Sequence, residues 1–557
     1  MPLVLRPSSR MICALIAVCA CAPHVFRLNC IGMAQTAPVQ NSTWQYSVPL
    51  EKGTERRAYL WIPPRSKHIR GVLIGLQNML ERAMFEDPEI RTALADSNLA
   101  IVWISPGAWP GKLATPEQPS LKFSPPSDAI EGVQRALTAL AHESGYREIE
   151  FAPLLVTGHS AASPFVWGMA SALSNRVFAA IPYKGYSVGA APDSVPTLQV
   201  AQEWAEWGPQ WGEVWHKELN ADAQMQSKDG GRLLGGFADI GAGHFDWHRE
   251  SSAVIALFIR KAVVARLPAN GPLRGPITLR SIAPESGVLV DAASLGTTRF
   301  QVVPYKDWHG STKDAFWYFD REMAEAIQHF MIGQLDKMPQ AIDFVADSMP
   351  VPLVSNGFAE IKPELLSDGV SFKVHAEALN RSPSSNLYNA MALGHAAGPI
   401  LYRVASGALM QTGPDTFRVA ARSGGLSRQG MPWEPWILAY QPGDTNYRSA
   451  DRPAHVLIDI RNPHGSAQTI SFRTIPNVNR KRLRILLTAS SSSGLPVQFY
   501  VESGPAELIG HTLHLLTIPP RSRYPVRVIV SAFQWGRAGE NPVQSAGPVA
   551  QEFFIRR

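Results

Sequence analysis

Cysteine is nearly absent from this chain. Four occur in 557 residues, Cys13, Cys19, Cys21 and Cys30, and none follows. Everything beyond residue 30 therefore lacks a disulfide, a thiol nucleophile and a cysteine metal site. A cationic block is absent too. The formal charge is +6 and the basic residues are scattered, which argues against a nucleic-acid partner. Long apolar runs are also wanting. The longest near the start, "MICALIAVCACA" (11–22), is about a dozen residues, short of a membrane span.

That run has Arg6 and Arg10 before it and "GMAQ" (32–35) after it, with Arg27 interrupting the region between. The pattern predicts a secretory signal peptide over 1–34, cut after Ala34. The expected destination is secreted or periplasmic, with lipid attachment through Cys19 or Cys21 as the variant and no transmembrane segment in the mature chain.

Apolar residues make up 45% of the chain, enough for large cores. A length of 557 predicts two to four domains, at roughly 100–200 residues each. From 43 to 266 short apolar runs alternate with helical patterns. "GVLIGLQ" (71–77), "LAIVWISPG" (99–107), "PLLVTG" (153–158), "VFAAIPYKG" (177–185), "VPTLQVA" (195–201) and "RLLGGFADIGAGHF" (232–245) read as strands, the first two buried on both faces. "DPEIRTALADSN", a helix opening at Asp128 with Glu131 at capping-box spacing, and "SAVIALFIRKAVVARL" (252–267) read as helices. This predicts a doubly wound, mainly parallel α/β sheet. "LPANGPLRGP" (267–276) is a linker. Residues 277–467 are expected to form a β-rich domain of unknown type, with one helix in "DAFWYFDREMAEAIQHFMIG". The last stretch, 468–557, reads as closely spaced strands and turns, the pattern of a β-sandwich.

The chemistry centres on "LLVTGHSAASPFVWGMA" (154–170), where Ser160 stands between an apolar strand and a helix. A sharp strand-to-helix turn exposes a serine hydroxyl and needs small residues two positions either side, here Gly158 and Ala162. The backbone N–H of Ala161 then lies at a helix start, where it can stabilise a developing oxyanion.

"VTGHSAAS" resembles the nucleophile elbow of the α/β-hydrolase family, and "GAGHFDW" (241–247) resembles that family's histidine loop. The likeness covers about 43–265. The second small position holds alanine where the family usually has glycine. The resemblance implies Ser160 as nucleophile and His244 as general base. His159, beside the serine, is expected to point elsewhere, and His248 to lie at the surface. For the acid the resemblance points to "VPTLQVAQEWAEWG" (195–208): Glu206 first, Glu203 as runner-up, then Asp239 or another residue. It implies a second oxyanion donor from the loop after "GVLIGLQN", at the backbone of Asn78 or Met79. No metal or organic cofactor is implied.

Trp204, Trp207, Trp211 and Trp215 are spaced like one helical face, which is ordinarily core. Trp204 or Trp207, and Trp109 in "SPGAWPG", are also candidates to wall a substrate pocket. "TASSSSGLPVQFYVESGPAELIGHTLHL" (488–515) resembles bacterial immunoglobulin-like modules of exported proteins. That implies a sandwich serving as a structural domain, a spacer, a surface attachment or a carbohydrate contact. The expectation is an exported serine esterase acting on a small-molecule or polysaccharide ester, plant-derived acyl esters included. A serine peptidase on the same triad and an inactive hydrolase-fold binding or surface protein are the alternatives.

Overall fold

The computed structural model describes residues 44–557 except 51–55, 108–125, 186–191, 206–211, 214, 224–231, 273, 355–357, 381–391 and 425–434. The leader with its cysteines, Glu206, Trp109, Trp207 and Trp211 lie outside the described residues.

The apolar runs become strands: β1 (Tyr46–Pro49), β2 (Arg57–Trp61), β3 (Gly71–Leu76), β4 (Leu99–Ser105), β5 (Leu154–His159), β6 (Val177–Tyr183), β7 (Thr197–Gln202) and β8 (Leu234–Asp239). They form one sheet in the order β1-β2-β4-β3-β5-β6-β7-β8. β1, β2 and β4 pair antiparallel, and every pair from β4 to β8 is parallel. β3 to β8 are buried along their whole length, as strands covered on both faces must be.

Helices α1 (Glu81–Glu86), α2 (Pro88–Asp96), α3 (Pro126–Ser144), α4 (Ser163–Ala172), α5 (Trp215–Ala223) and α6 (Ser252–Arg266) accompany the strands. Asp87 caps α2 by accepting from the N–H groups of Glu89 and Ile90. α3 opens two residues before Asp128, at Pro126, whose fixed φ suits a first helical turn.

The segment "DAFWYFDREMAEAIQHFMIG" is not helical throughout. Ala315–Tyr318 is a strand, and α7 (Arg321–Leu335) begins only after Asp320, which accepts from the N–H of Met323. The aromatic run explains the difference: Phe316 lies flat on β8, where a side chain at Gly236 would meet its ring at 2.6 Å. Val290, Phe316, Tyr318, Met323 and Ile327 join the same apolar core as Leu73, Phe237 and Ile259. The sequence pattern missed this docking because glycine in "RLLGGFAD" carries no apolar signal.

Further on, β9 (Leu401–Ser406), β10 (Leu409–Gln411), β11 (Trp436–Gln441) and β12 (Ala450–Val456) belong to a β-rich region. β9, β11 and β12 share a four-stranded sheet. The C-terminal stretch holds a four-stranded sheet including β13 (Gln498–Ser503), β14 (Val526–Gln534) and β15 (Ala546–Arg556), together with smaller sheets. Val528, Val530, Phe553 and Ile555 share an apolar cluster with Leu137 and Leu140 of α3. Residues from 40 onward form one compact unit. No helix among the described residues is long and apolar enough to cross a membrane.

Candidate active site

Ser160 follows β5 directly, with φ at +52°. A non-glycine residue is rarely held there, and the surroundings explain why this one is. The chain must reverse from β5 into α4 within three residues. A Cβ on Gly158 would meet the carbonyl oxygen of Ala162 at 2.8 Å and its Cβ at 2.9 Å, so the glycine is required. Gly185, after β6, is equally forced: its Cβ would fall 1.8 Å from Ser163 Oγ. Ser160 is half-buried while Ala162 and Ser163 are fully enclosed. The turn thus leaves Ser160 and Ala161 partly exposed between the buried His159 and Ala162.

His244 sits in the loop after β8, 2% exposed. Its ring lies 4.6 Å from that of His159, the residue before Ser160, and His159 Nε2 donates to the His244 carbonyl at 2.9 Å. So His159 does point away from the serine, and it fastens the histidine loop to the elbow. Burial holds His159 down to about 3, so it is neutral. His244 is also held well below the ordinary histidine range, by burial first and then by His159 and Lys184. Among the described residues no hydrogen bond joins Ser160 to His244.

The Nδ1 of His244 lies 3.3 Å from Gln202 Oε1. The Gln202 amide is oriented by its other end, which donates to Glu218 Oε1 at 2.6 Å. Nδ1 therefore carries the proton toward Gln202, leaving Nε2 as the basic nitrogen. Burial pushes Glu218 up to about 7. An amide backed by a carboxylate thus faces His244.

Glu203, the runner-up acid, is turned to other work. It is fully buried, accepts from the Gly241 N–H at 2.6 Å and forms an ion pair with Arg448. Asp239, the third candidate, accepts from His248 Nδ1 at 2.7 Å, from Lys184 Nζ at 2.9 Å and from Tyr183 Oη at 3.0 Å. His248 is not at the surface. It is 3% exposed, held between Asp239 and Glu250, because Ser449 and the β-rich region cover it.

The loop after β3 is occupied as well. The N–H groups of Asn78 and Met79 both donate to Glu81 Oε2, at 2.7 and 3.0 Å, and the His159 N–H donates to Glu81 Oε1 at 2.7 Å. In this conformation neither Asn78 nor Met79 offers its N–H to an incoming oxygen. Asn78 Nδ2 instead braces the elbow by donating to the His159 carbonyl at 3.0 Å. Glu81 is buried, which raises it to about 7 against the pull of those donors.

The tryptophan stripe is not one helical face. Trp204 belongs to a short strand, Trp204–Ala205, paired with Gly212–Glu213, and Trp215 opens α5. The hairpin breaks the helical spacing. Trp204 is 6% exposed, so it lies in the interior.

The histidine loop is gripped from two sides. Lys184, buried and with φ at +48°, donates from Nζ to the carbonyls of Gly243 and Asp246, both at 2.8 Å. From more than 150 residues downstream, Arg403 pairs with Asp246, Ser449 donates to the Gly241 carbonyl at 2.9 Å, and Asp451 accepts from the Gly243 N–H at 2.8 Å. Sequence reasoning missed Lys184, Gln202, Glu218, Glu81 and this downstream set. The capping position of Glu81 at the head of a helix was the one local signal available.

No family model and no curated protein matches the chain. Among solved structures it is similar to a thermostable esterase, with 13% identity over 33% of this chain and a TM-score of 0.24; the match spans half of that esterase. It is similar to the acetyl xylan esterase from Aspergillus awamori, with 11% identity over 36% of this chain and 93% of that one, TM-score 0.24. It is also similar to XC6422 from Xanthomonas campestris, a serine hydrolase without a lid, with 15% identity over 42% and 99%, TM-score 0.28. The described residues themselves form an eight-stranded, mainly parallel sheet with Ser160 on the turn that follows β5.

Proposed function

We propose that this chain is an exported serine hydrolase cleaving carboxylic esters through an acyl-serine intermediate. The observation that carries the reading is Ser160 held at positive φ on a turn that Gly158 alone permits. Ser160 Oγ attacks the ester carbonyl while His244 Nε2 takes its proton. The tetrahedral oxyanion is met by the Ala161 N–H. On collapse the alcohol leaves with the proton from His244, and water deacylates the serine by the same route. Glu206 remains the proposed acid, with the Gln202–Glu218 pair orienting the imidazole from Nδ1. The fold does not fix the substrate; export with β-rich accessory regions favours a polysaccharide or plant-derived acyl ester.

The occupied oxyanion loop and the Arg448 partner of Glu203 favour a second reading, a hydrolase-fold binding protein without activity. One experiment separates the two. The chain from Gln35 and its Ser160→Ala variant are treated with a fluorophosphonate and with a short-chain p-nitrophenyl ester. A single adduct and turnover, both lost in the variant, support the hydrolase. A well-folded protein that forms no adduct supports the binding protein.

A further inference from the structure

Basic residues are scattered over most of the chain, but one short run gathers them: Arg480, Lys481, Arg482 and Arg484. No acidic residue occurs between Asp459 and Glu502 to balance it. The run turns a corner into the strand Arg484–Leu486. At that corner the Asn479 side chain accepts from the Lys481 N–H at 2.8 Å and the Asn479 carbonyl accepts from the Arg482 N–H at 3.0 Å. All four cations are exposed. Other arginines of the C-terminal stretch fasten it to the α/β region: Arg521 pairs with Glu148 and Arg527 with Glu143. Among the described residues none of these four has such a carboxylate partner; Arg482 Nε donates to the Arg484 carbonyl at 2.9 Å.

The strand forms a three-stranded sheet with Thr512–Leu515 and Ala506–Ile509. Side chains alternate across a strand. Ile485 and Leu513 are directly paired and buried in the core, so Arg484 and Leu486 face outward. They lie in register with His514 and Thr512, and Ile509 follows on the far side of Thr512. Glu507, opposite His514, is the one carboxylate on that face of the three strands. Leu486 is 73% exposed, Ile509 60%, and Leu483, at the corner, 66%. Eight large apolar side chains are exposed among the described residues, and these are three of them.

Cations gathered without acids make a local positive field that draws an anionic partner. A soluble polyanion, such as a sulfated polysaccharide, would meet the charge and leave the aliphatic side chains in water. An anionic bilayer meets both: its headgroups pair with the cations, and the leucine and isoleucine tips enter the acyl boundary. We propose that this face docks the protein reversibly on an anionic lipid surface, through Arg480, Lys481, Arg482 and Arg484 with Leu483, Leu486 and Ile509. The inference stands apart from the reading of Ser160, which it neither needs nor supports.

The test uses the chain from Gln35, without the apolar leader, since residues from 40 onward form one compact unit. It is sedimented with vesicles of phosphatidylcholine and with vesicles of equal parts phosphatidylcholine and phosphatidylglycerol. The expected result is saturable binding to the mixed vesicles alone, weakened by added salt. Replacing Arg480, Lys481, Arg482 and Arg484 together by glutamine should lower that binding on the order of a hundredfold, since each cation contributes about fivefold near an anionic surface. Replacing Leu483, Leu486 and Ile509 together by serine should lower it about tenfold and leave retention on a heparin column as in the parent. Every replaced side chain is exposed, so both variants should unfold at the parent's denaturant midpoint. Should either fold poorly, Arg482→Gln and Leu486→Ser repeat the comparison in smaller steps. Absence of binding to the mixed vesicles, or equal binding to the neutral ones, overturns the proposal. Full vesicle binding by the serine variant also overturns it, and makes the face a site for polyanions in general.

Discussion

Two serine–histidine pairs flank the loop after β8, and they differ in almost everything but composition. In one, His248 lies between Asp239 at 2.7 Å and Ser449 Oγ at 3.2 Å, a Ser-His-Asp sequence of contacts complete to the last hydrogen bond. In the other, Ser160 stands at a strained turn near His244, and the bond between them is unmade. The complete set is the less reactive. His248 is lifted to about 10 by Asp239 and Glu250 against its burial, so it is already a cation and cannot take a proton. The Ser449 hydroxyl gives its hydrogen to the Gly241 carbonyl and is itself buried. His244 is neutral and therefore able to accept. What a general base needs is an unprotonated nitrogen, and a full complement of partners does not supply one.

The largest effect that would break this comparison is on labelling. Ser160→Ala should remove fluorophosphonate reaction and lower ester turnover on the order of 10⁴-fold or more. Ser449→Ala should leave both intact and cost about 1 kcal/mol in denaturant unfolding, the value of one buried hydrogen bond. Labelling at Ser449 in the intact protein would invert the assignment.

The same contrast predicts a large stability effect at Arg448. Removing one partner of a buried ion pair leaves the other charge uncompensated, so Arg448→Met should lose about 3–5 kcal/mol. Adding Glu203→Gln should return most of it. If the single variant unfolds like the parent, Glu203 is free for other roles, and its place as triad acid must be reconsidered.

What the sequence disclosed and what it hid divide along the same line. The strands from 71 to 239 were legible because both faces are buried, so each is an unbroken apolar run. The elbow was legible because Gly158, Ser160 and Ala162 satisfy a local steric rule. The clasp on the histidine loop was not, since Arg403, Ser449 and Asp451 lie more than 150 residues away and meet the loop only through the fold. His248 looked like a surface residue for that reason: its cover comes from β12 and the turn before it. Local rules reach across a turn, and charge pairing at long range does not show in a pattern of residues.

Titration sharpens the contrast further. His248 has a folded pKa near 10 against an ordinary 6.5. Its contribution to stability is complete below pH 6.5, shrinks as pH rises from there, and is gone beyond about pH 10. Asp239, held at about 2 by Lys184 and His248, contributes above 3.8 and loses that contribution as pH falls through 2. Urea midpoints should therefore be highest from about pH 4 to 6.5 for this cluster and decline on the alkaline side, and His248→Gln should flatten the alkaline limb. His244, with its pKa lowered, should show no loss of activity by protonation until well below pH 6.5. An activity limb near 6.5 that His248→Gln leaves unmoved would mean His244 is less buried than its surroundings imply.

The smallest expected effect concerns Gln202. Its amide reaches His244 Nδ1 at 3.3 Å, a long contact between neutral groups, and Glu218 holds the amide in place. A neutral hydrogen bond contributes roughly 1 kcal/mol, so Gln202→Leu should lower kcat about fivefold with KM little changed. A general loosening of the fold would move KM and stability together. A nearly silent variant would mean that the proposed acid Glu206 orients Nδ1 by itself and that Gln202 is a bystander. A loss far beyond fivefold would make the Gln202–Glu218 pair the working substitute for the triad acid. The size of this small effect is thus what distinguishes an oriented base from a charged one.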